Sequence, residues 1–434
     1  MKYGRRDFVK KITGIGGLIT ATAIFSRANI ERVKEYSQRL KDKTPEEVAM
    51  DEDFWFEVQN SFTIDRSIIN LNNGGVHPSP KIVQDAVKEY MDFGEKSPTY
   101  TMWEVLQPLK EVTRTKLARL FGCSPEEIAI TRNATESLHN ILLGFPMNPG
   151  EEILTTTQDY PSMQNALNQR AMREGIVVKR VKIPVPVKEP MDVVEIIKKG
   201  ITEKTKLILI SHIVFLTGQI LPVKEICKVA HEKGVEVVVD GAHAFAHLDF
   251  KVSDLDCDYY ATSLHKWLMA PKGTGFLYVK KEKISKIWPL FPYVDPLSSD
   301  IRKFEAIGTH QNAIELGIDE AIAFHNGIGS KRKEARFRYL KDYWAKKLSE
   351  LPNVGFRVQL DPKNSCGLAN FYIEGIEPAK LTTLLFQKHR IVVTPITHEE
   401  VPGIRVTPSL YTRLEELDIF VETVKKYIKE GIPA

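Results

Sequence analysis

The feature that most limits the fold is a series of short, largely apolar segments, each separated from the next by a helical stretch. Ile153-Leu154-Thr155-Thr156, Val177-Val178, Leu207-Ile208-Leu209-Ile210-Ser211, Val237-Val238-Val239-Asp240 and Asp258-Tyr259-Tyr260-Ala261 follow one another along the chain. Apolar runs that do not alternate with polar residues read as strands buried on both faces. Burial on both faces calls for helices above and below, joined by right-handed crossovers. The pattern therefore predicts an α/β fold, a mainly parallel mixed sheet wrapped by helices. Residues 273–279 read as a glycine turn into a strand that runs antiparallel. Strands at 368–373, 391–393 and 404–407 alternate with helices and read as a smaller α+β C-terminal domain.

The chain has 434 residues, enough for two or three domains at roughly 100–200 residues each. The expected division is a basic leader at 1–26, a polar helical arm at 27–64, a large α/β domain at 65–300 and a small domain at 301–434. The net charge of +4 is mild and gives no case for nucleic acid. Cys123, Cys227, Cys257 and Cys366 form no CxxC pair; they read as buried apolar residues, not as a metal site or a disulfide framework. At the N-terminus, Arg5-Arg6-Asp7-Phe8-Val9-Lys10 precedes a short apolar stretch from Ile12 to Phe25. This is similar to a twin-arginine export signal, with Gly4 where such signals usually carry Ser or Thr. The expectation is export to the periplasm through the twin-arginine machinery, with cleavage near Ala21-Thr22-Ala23 or an uncleaved anchor.

In open α/β sheets ligands sit outside the carboxyl ends of the strands. Asp240 and Lys266 both fall at such ends. An acid and a lysine side by side there suit pyridoxal 5′-phosphate: the lysine forms a Schiff base with its aldehyde, and the aspartate pairs with the protonated ring nitrogen. The segment Thr131-Arg132-Asn133-Ala134-Thr135-Glu136-Ser137 reads as a strand end turning into a helix. A helix start offers free N–H groups to a phosphate, with Ala134 and Thr135 in place and Thr135 as cap. Ser263 and His265 flank the lysine and complete that site. His243 is placed to bond the ring's phenolic oxygen, and Tyr160, at a strand exit, to stack on the ring. The turn Asn72-Asn73-Gly74-Gly75-Val76-His77 either reaches a ligand, through Asn72, Asn73 or His77, with Asn73 taken as the substrate contact, or bonds its own backbone.

These residues carry a resemblance. The chain resembles class-V aminotransferase-fold enzymes, fold-type I pyridoxal-phosphate proteins that include cysteine desulfurases, kynureninase, phosphoserine aminotransferase and isopenicillin N epimerase. The matching stretches are Asp240-Gly241-Ala242-His243, Ser263-Leu264-His265-Lys266, Thr131 to Glu136, Phe304 to Thr309 and Gly403-Ile404-Arg405-Val406-Thr407-Pro408. The resemblance implies a homodimer in which Thr309 reaches the phosphate of the neighbouring subunit. It also implies that Arg405 grips a substrate carboxylate. There are departures. Asp159-Tyr160 stands where the family often has His, and Phe215 where many members place Asn. Residues 394–400 hold no cysteine where desulfurases carry a reactive one, which disfavours persulfide chemistry. The expected activity is chemistry at Cα of an amino acid, as an aminotransferase or an isopenicillin N epimerase-like enzyme. A C–S or β-elimination lyase and a non-catalytic binding protein on the same scaffold are the alternatives. A dinucleotide oxidoreductase would need GxGxxG after the first strand, and no such run occurs.

Overall fold

The computed structural model describes residues 21–432. The chain opens with helices Ala21–Arg39, Pro45–Ala49 and Glu52–Gln59. Pro45 sits in the first turn, and Thr44 caps it in a reciprocal capping box with Glu47. The Arg5-Arg6 motif lies outside the described residues. Among those described, no helix is long and apolar enough to cross a membrane.

Strand β1 (Ile69–Asn70) precedes the main sheet. That sheet comprises β2 (Ile128–Thr131), β3 (Glu152–Thr156), β4 (Val177–Val181), β5 (Thr205–Ser211), β6 (Glu236–Asp240), β7 (Tyr259–Ser263) and β8 (Gly275–Val279), in the order β2-β8-β7-β6-β5-β3-β4. The pairings β3–β4, β3–β5, β5–β6 and β6–β7 are parallel, and β8 runs antiparallel to both β7 and β2. The expected strands and the antiparallel return at 275–279 are all present. β5, β6 and β7 are buried along almost their whole length because helices cover both faces. This is the fold-type I architecture.

The second sheet holds β9 (Val354–Phe356), β10 (Ala369–Ile373), β12 (Thr394–Ile396) and β13 (Gly403–Val406), with β11 (Ile391–Val392) paired instead to β1 in parallel. The domain boundaries differ from the sequence reading at two places. Residues 69–72 pair with the small domain, through β1–β11 and a bridge between Asn72 and Thr407. Ile301, Phe304, Ile318, Ile322, Phe324 and Phe337 enter the large cores, whereas the small-domain core begins at Leu340. Helix Ile318–Ile328 packs against the N-terminal helix Ala21–Arg39 and the helices Lys81–Glu95 and Gln107–Phe121.

Candidate active site

The carboxyl ends of β5, β6 and β7 open onto a cavity of about 600 Å³. Its floor is built by β6, which ends on Asp240, and by the turn after β7, which carries His265 and Lys266. The turn is held by Leu264 N–H donating to Thr274 O at 2.9 Å and by Lys266 N–H donating to Ser263 O at 3.3 Å. Asp240 is 8% exposed, and its Oδ1 accepts from Ala242 N–H at 2.9 Å. Burial pushes its carboxyl up to about 6. Lys266 shows part of its surface only to the cavity. Desolvation there lowers its amine to about 8, with Asp240 opposing the shift and Arg405 adding to it. Lys266 Nζ stands 3.3 Å from His243 Nε2. His243 is buried, and burial, reinforced by the charge of Lys266, holds its imidazole well below the usual range.

One wall is the start of helix Ala134–Gly144. The cap is Asn133, whose side chain accepts from Glu136 N–H at 2.9 Å. Thr135, expected as the cap, is the second helical residue and lines the cavity instead. Ala134 N–H donates to Ser263 Oγ at 2.9 Å, which ties the helix start to the lysine turn. Gly275 permits this contact: a Cβ there would lie 2.7 Å from Asn133 Cα.

The opposite wall holds Arg405, on β13. It is 6% exposed, and burial lowers its guanidinium to about 10. Nη1 donates to Phe215 O at 2.8 Å and Nη2 to Asn72 Oδ1 at 3.3 Å, while Nε has no partner in the protein. No carboxylate faces this buried cation among the described residues. A buried charge without a counter-ion is costly and points to an anionic ligand. Gly74 leaves room beside it, since a Cβ would lie 3.3 Å from His243 Cε1 and 3.5 Å from Arg405 Cζ.

Ala134, Thr135, Tyr160, Asp240, His243, Ser263, His265, Lys266 and Arg405 are thus brought together. Two expected residues are not. Asn73 is fully buried, and its amide is spent on the protein: Nδ2 donates to Asn70 O at 2.9 Å and Thr407 O at 3.0 Å, and Oδ1 accepts from Tyr411 Oη at 2.6 Å. Its neighbour Asn72 is the one that touches the site, through Arg405. Thr309 is exposed and lies outside the cavity, beside Trp103 and Gln107. Tyr160 stands edge-on to Phe215, with ring centres 5.1 Å apart. Asp159, the other residue at that strand exit, accepts from Thr155, Thr156 and Ser211 and splices β3 to β5. Trp267 was missed. Its indole Nε1 donates to His243 Nδ1 at 3.4 Å, and its ring stacks on His247 at 3.4 Å.

The arrangement joins a low-pKa lysine, a buried aspartate on the adjacent strand and a helix N-terminus around one cavity. The aminotransferase class-V family model matches residues 79–398. The chain belongs to the class-V aminotransferases. An isopenicillin N epimerase from Amycolatopsis lactamdurans is 30% identical over 398 residues, covering 86% of this chain and 99% of that protein. A probable cysteine desulfurase from Halalkalibacterium halodurans is 29% identical over 335 residues, covering 73% and 80%. A solved structure of a C-DES variant, with glycine covalently linked to its PLP cofactor, aligns with TM-score 0.77 at 23% identity, covering 84% of this chain and 98% of that one. Members of the family are enzymes, and the cofactor is pyridoxal phosphate. The residues present fit it: Asp240 is a buried acid at a strand end, suited to a cationic ring nitrogen, and Ala134, Thr135 and Ser263, at a helix start, would hold its phosphate.

Proposed function

We propose that this chain is an enzyme that moves the Cα proton of an amino acid, in the manner of an isopenicillin N epimerase. The observation that carries the reading is the buried guanidinium of Arg405, unpaired by any carboxylate, in the same cavity as the low-pKa amine of Lys266. Pyridoxal phosphate, when bound, supplies an aldehyde for amine capture and a ring that draws electrons from Cα. Arg405 holds the substrate carboxylate through its free edge, a task suited to a planar fork of N–H donors. Lys266, with a pKa near 8, is matched to take and return a proton near neutral pH. Asp240 would keep the ring nitrogen protonated, and His243 would hold the phenolic oxygen.

Two observations favour proton chemistry over desulfuration. The free cysteines are Cys123, Cys227, Cys257 and Cys366, and none lines the cavity. Burial also raises their thiols, Cys123 and Cys366 to about 12, so the thiolate that attacks sulfur is disfavoured. The test is to incubate holo-protein with L- and D-amino acids in deuterated buffer. Deuterium at Cα with inversion is expected. Deuterium-free substrate with a matching yield of keto acid and amine-form cofactor would make it an aminotransferase, and release of sulfide or ammonia would make it a lyase.

Arg5-Arg6 supports export to the periplasm, checked by cell fractionation against an Arg5→Lys, Arg6→Lys chain. The exposure of Thr309, with Tyr100 and Trp103 close by in sequence or space, supports a homodimer that shares its phosphate sites. Sedimentation of the holo-protein checks that.

A further inference from the structure

Resting on Arg405 as the carboxylate clamp, we infer that the substrate carries one carboxylate, at Cα, and an uncharged apolar or aromatic side chain packed against Tyr160 and Phe215. The cavity that holds Arg405 is also lined by Phe215, Leu216, Pro395 and Ile396, with Thr394 and Thr397 among them and the partly exposed Tyr160 at its mouth. The Tyr160 and Phe215 rings meet edge to face, with an angle of 80° between their planes, and Tyr160 is 43% exposed. An aromatic pair at a mouth of this kind presents a large apolar surface to an entering side chain.

Charge decides the rest. Arg405 and Lys266 are the basic side chains lining the cavity among the described residues, apart from its histidines. Lys266 serves the cofactor. His398 stands at the same end, but its Nδ1 accepts from Glu400 N–H at 3.3 Å and its Nε2 donates to Thr157 O at 3.2 Å. Both ring nitrogens are thus engaged by the protein, which leaves no free N–H there for a second carboxylate. Glu400, two residues after His398, is engaged within the protein as well: Oε2 accepts from Thr157 Oγ1 at 2.8 Å, and Oε1 pairs with Lys182 at 3.5 Å. A glutamate-like or lysine-like side chain would therefore be desolvated without a partner.

The experiment titrates holo-protein with L- and D-forms of phenylalanine, leucine, methionine, alanine, glutamate and lysine while the cofactor spectrum is followed. Half-saturation by phenylalanine, leucine or methionine is expected at a concentration at least roughly tenfold below that for alanine, glutamate and lysine. Phe215→Lys is expected to reverse the order of leucine and glutamate, its far-UV circular dichroism and cofactor band confirming a folded, loaded protein. Glutamate or lysine binding as tightly as leucine would overturn the inference and leave the Cα-proton reading standing. A spectrum that no amino acid perturbs, in a protein whose cofactor band depends on Lys266, would overturn that reading and the inference with it.

Discussion

Trp267 Nε1 donates to Nδ1 of His243, and Nε2 of the same ring faces Lys266 Nζ at 3.3 Å. A neutral imidazole has one bare nitrogen and one N–H. With Nδ1 accepting, Nε2 carries the hydrogen and points it at the amine. Only an unprotonated amine can accept it, a state Lys266 reaches as pH rises through about 8. Replacing Trp267 with Phe keeps the packing on His247 and removes the indole N–H. We expect His243 in Trp267→Phe to populate both tautomers, read from histidine nitrogen shifts in the apoprotein with His243→Asn as the assignment control. An unchanged tautomer would show that the contact is packing alone.

Capture of pyridoxal phosphate by the apoprotein needs the unprotonated amine of Lys266. Its pKa near 8 means that the reactive fraction grows as pH rises and levels off above that point. The second-order rate of cofactor capture, followed by stopped-flow absorbance, is expected to rise about tenfold from pH 6.5 to 7.5 and little beyond pH 9. A rate that keeps climbing to pH 10 would place the lysine in an ordinary aqueous setting.

Arg405→Lys keeps the charge and loses the fork. With Nη1 held by Phe215 O and Nη2 by Asn72, the guanidinium is aimed before substrate arrives. Amino-acid half-saturation should rise by roughly 10- to 100-fold, since a charged hydrogen bond contributes about 1.5–3 kcal/mol. The cofactor absorbance in the absence of substrate should stay as it is.

Asn73 makes the contrasting case. Asn73→Ala strips partners from Asn70 O, Thr407 O and the Tyr411 hydroxyl in a dry environment. The expected result is a loss of about 2 kcal/mol in urea unfolding, with amino-acid half-saturation shifted less than threefold. A large shift in half-saturation at unchanged stability would return Asn73 to the substrate.

The strands and the floor of the site were legible because their signals are local. A run such as Val237-Val238-Val239 can hardly be anything but a buried strand, and its last residue then lies at a ligand-bearing edge. The helix start at 134 was legible to within two positions. Asn133 and Thr135 are both able to cap, and the cap fell to the one whose own backbone is extended, with Asn133 at φ −175°. What stayed hidden depends on contacts across long separations. Asn72 and Asn73 are indistinguishable as residues, and only the register of Asn72 against Thr407 decides which faces Arg405. Trp267 follows the lysine directly, yet its role needs His243 to arrive from another strand. The boundary at residue 300 failed because helix Ile318–Ile328 finds its apolar partners in the N-terminal half.

The bond from Arg405 to position 215 ends on a main-chain carbonyl, whereas the wall of the side-chain pocket is the Phe215 ring. One residue thus does two jobs with two separate parts of itself. Exchanging the ring would therefore change the cavity wall while the carbonyl that aims Arg405 stays in place.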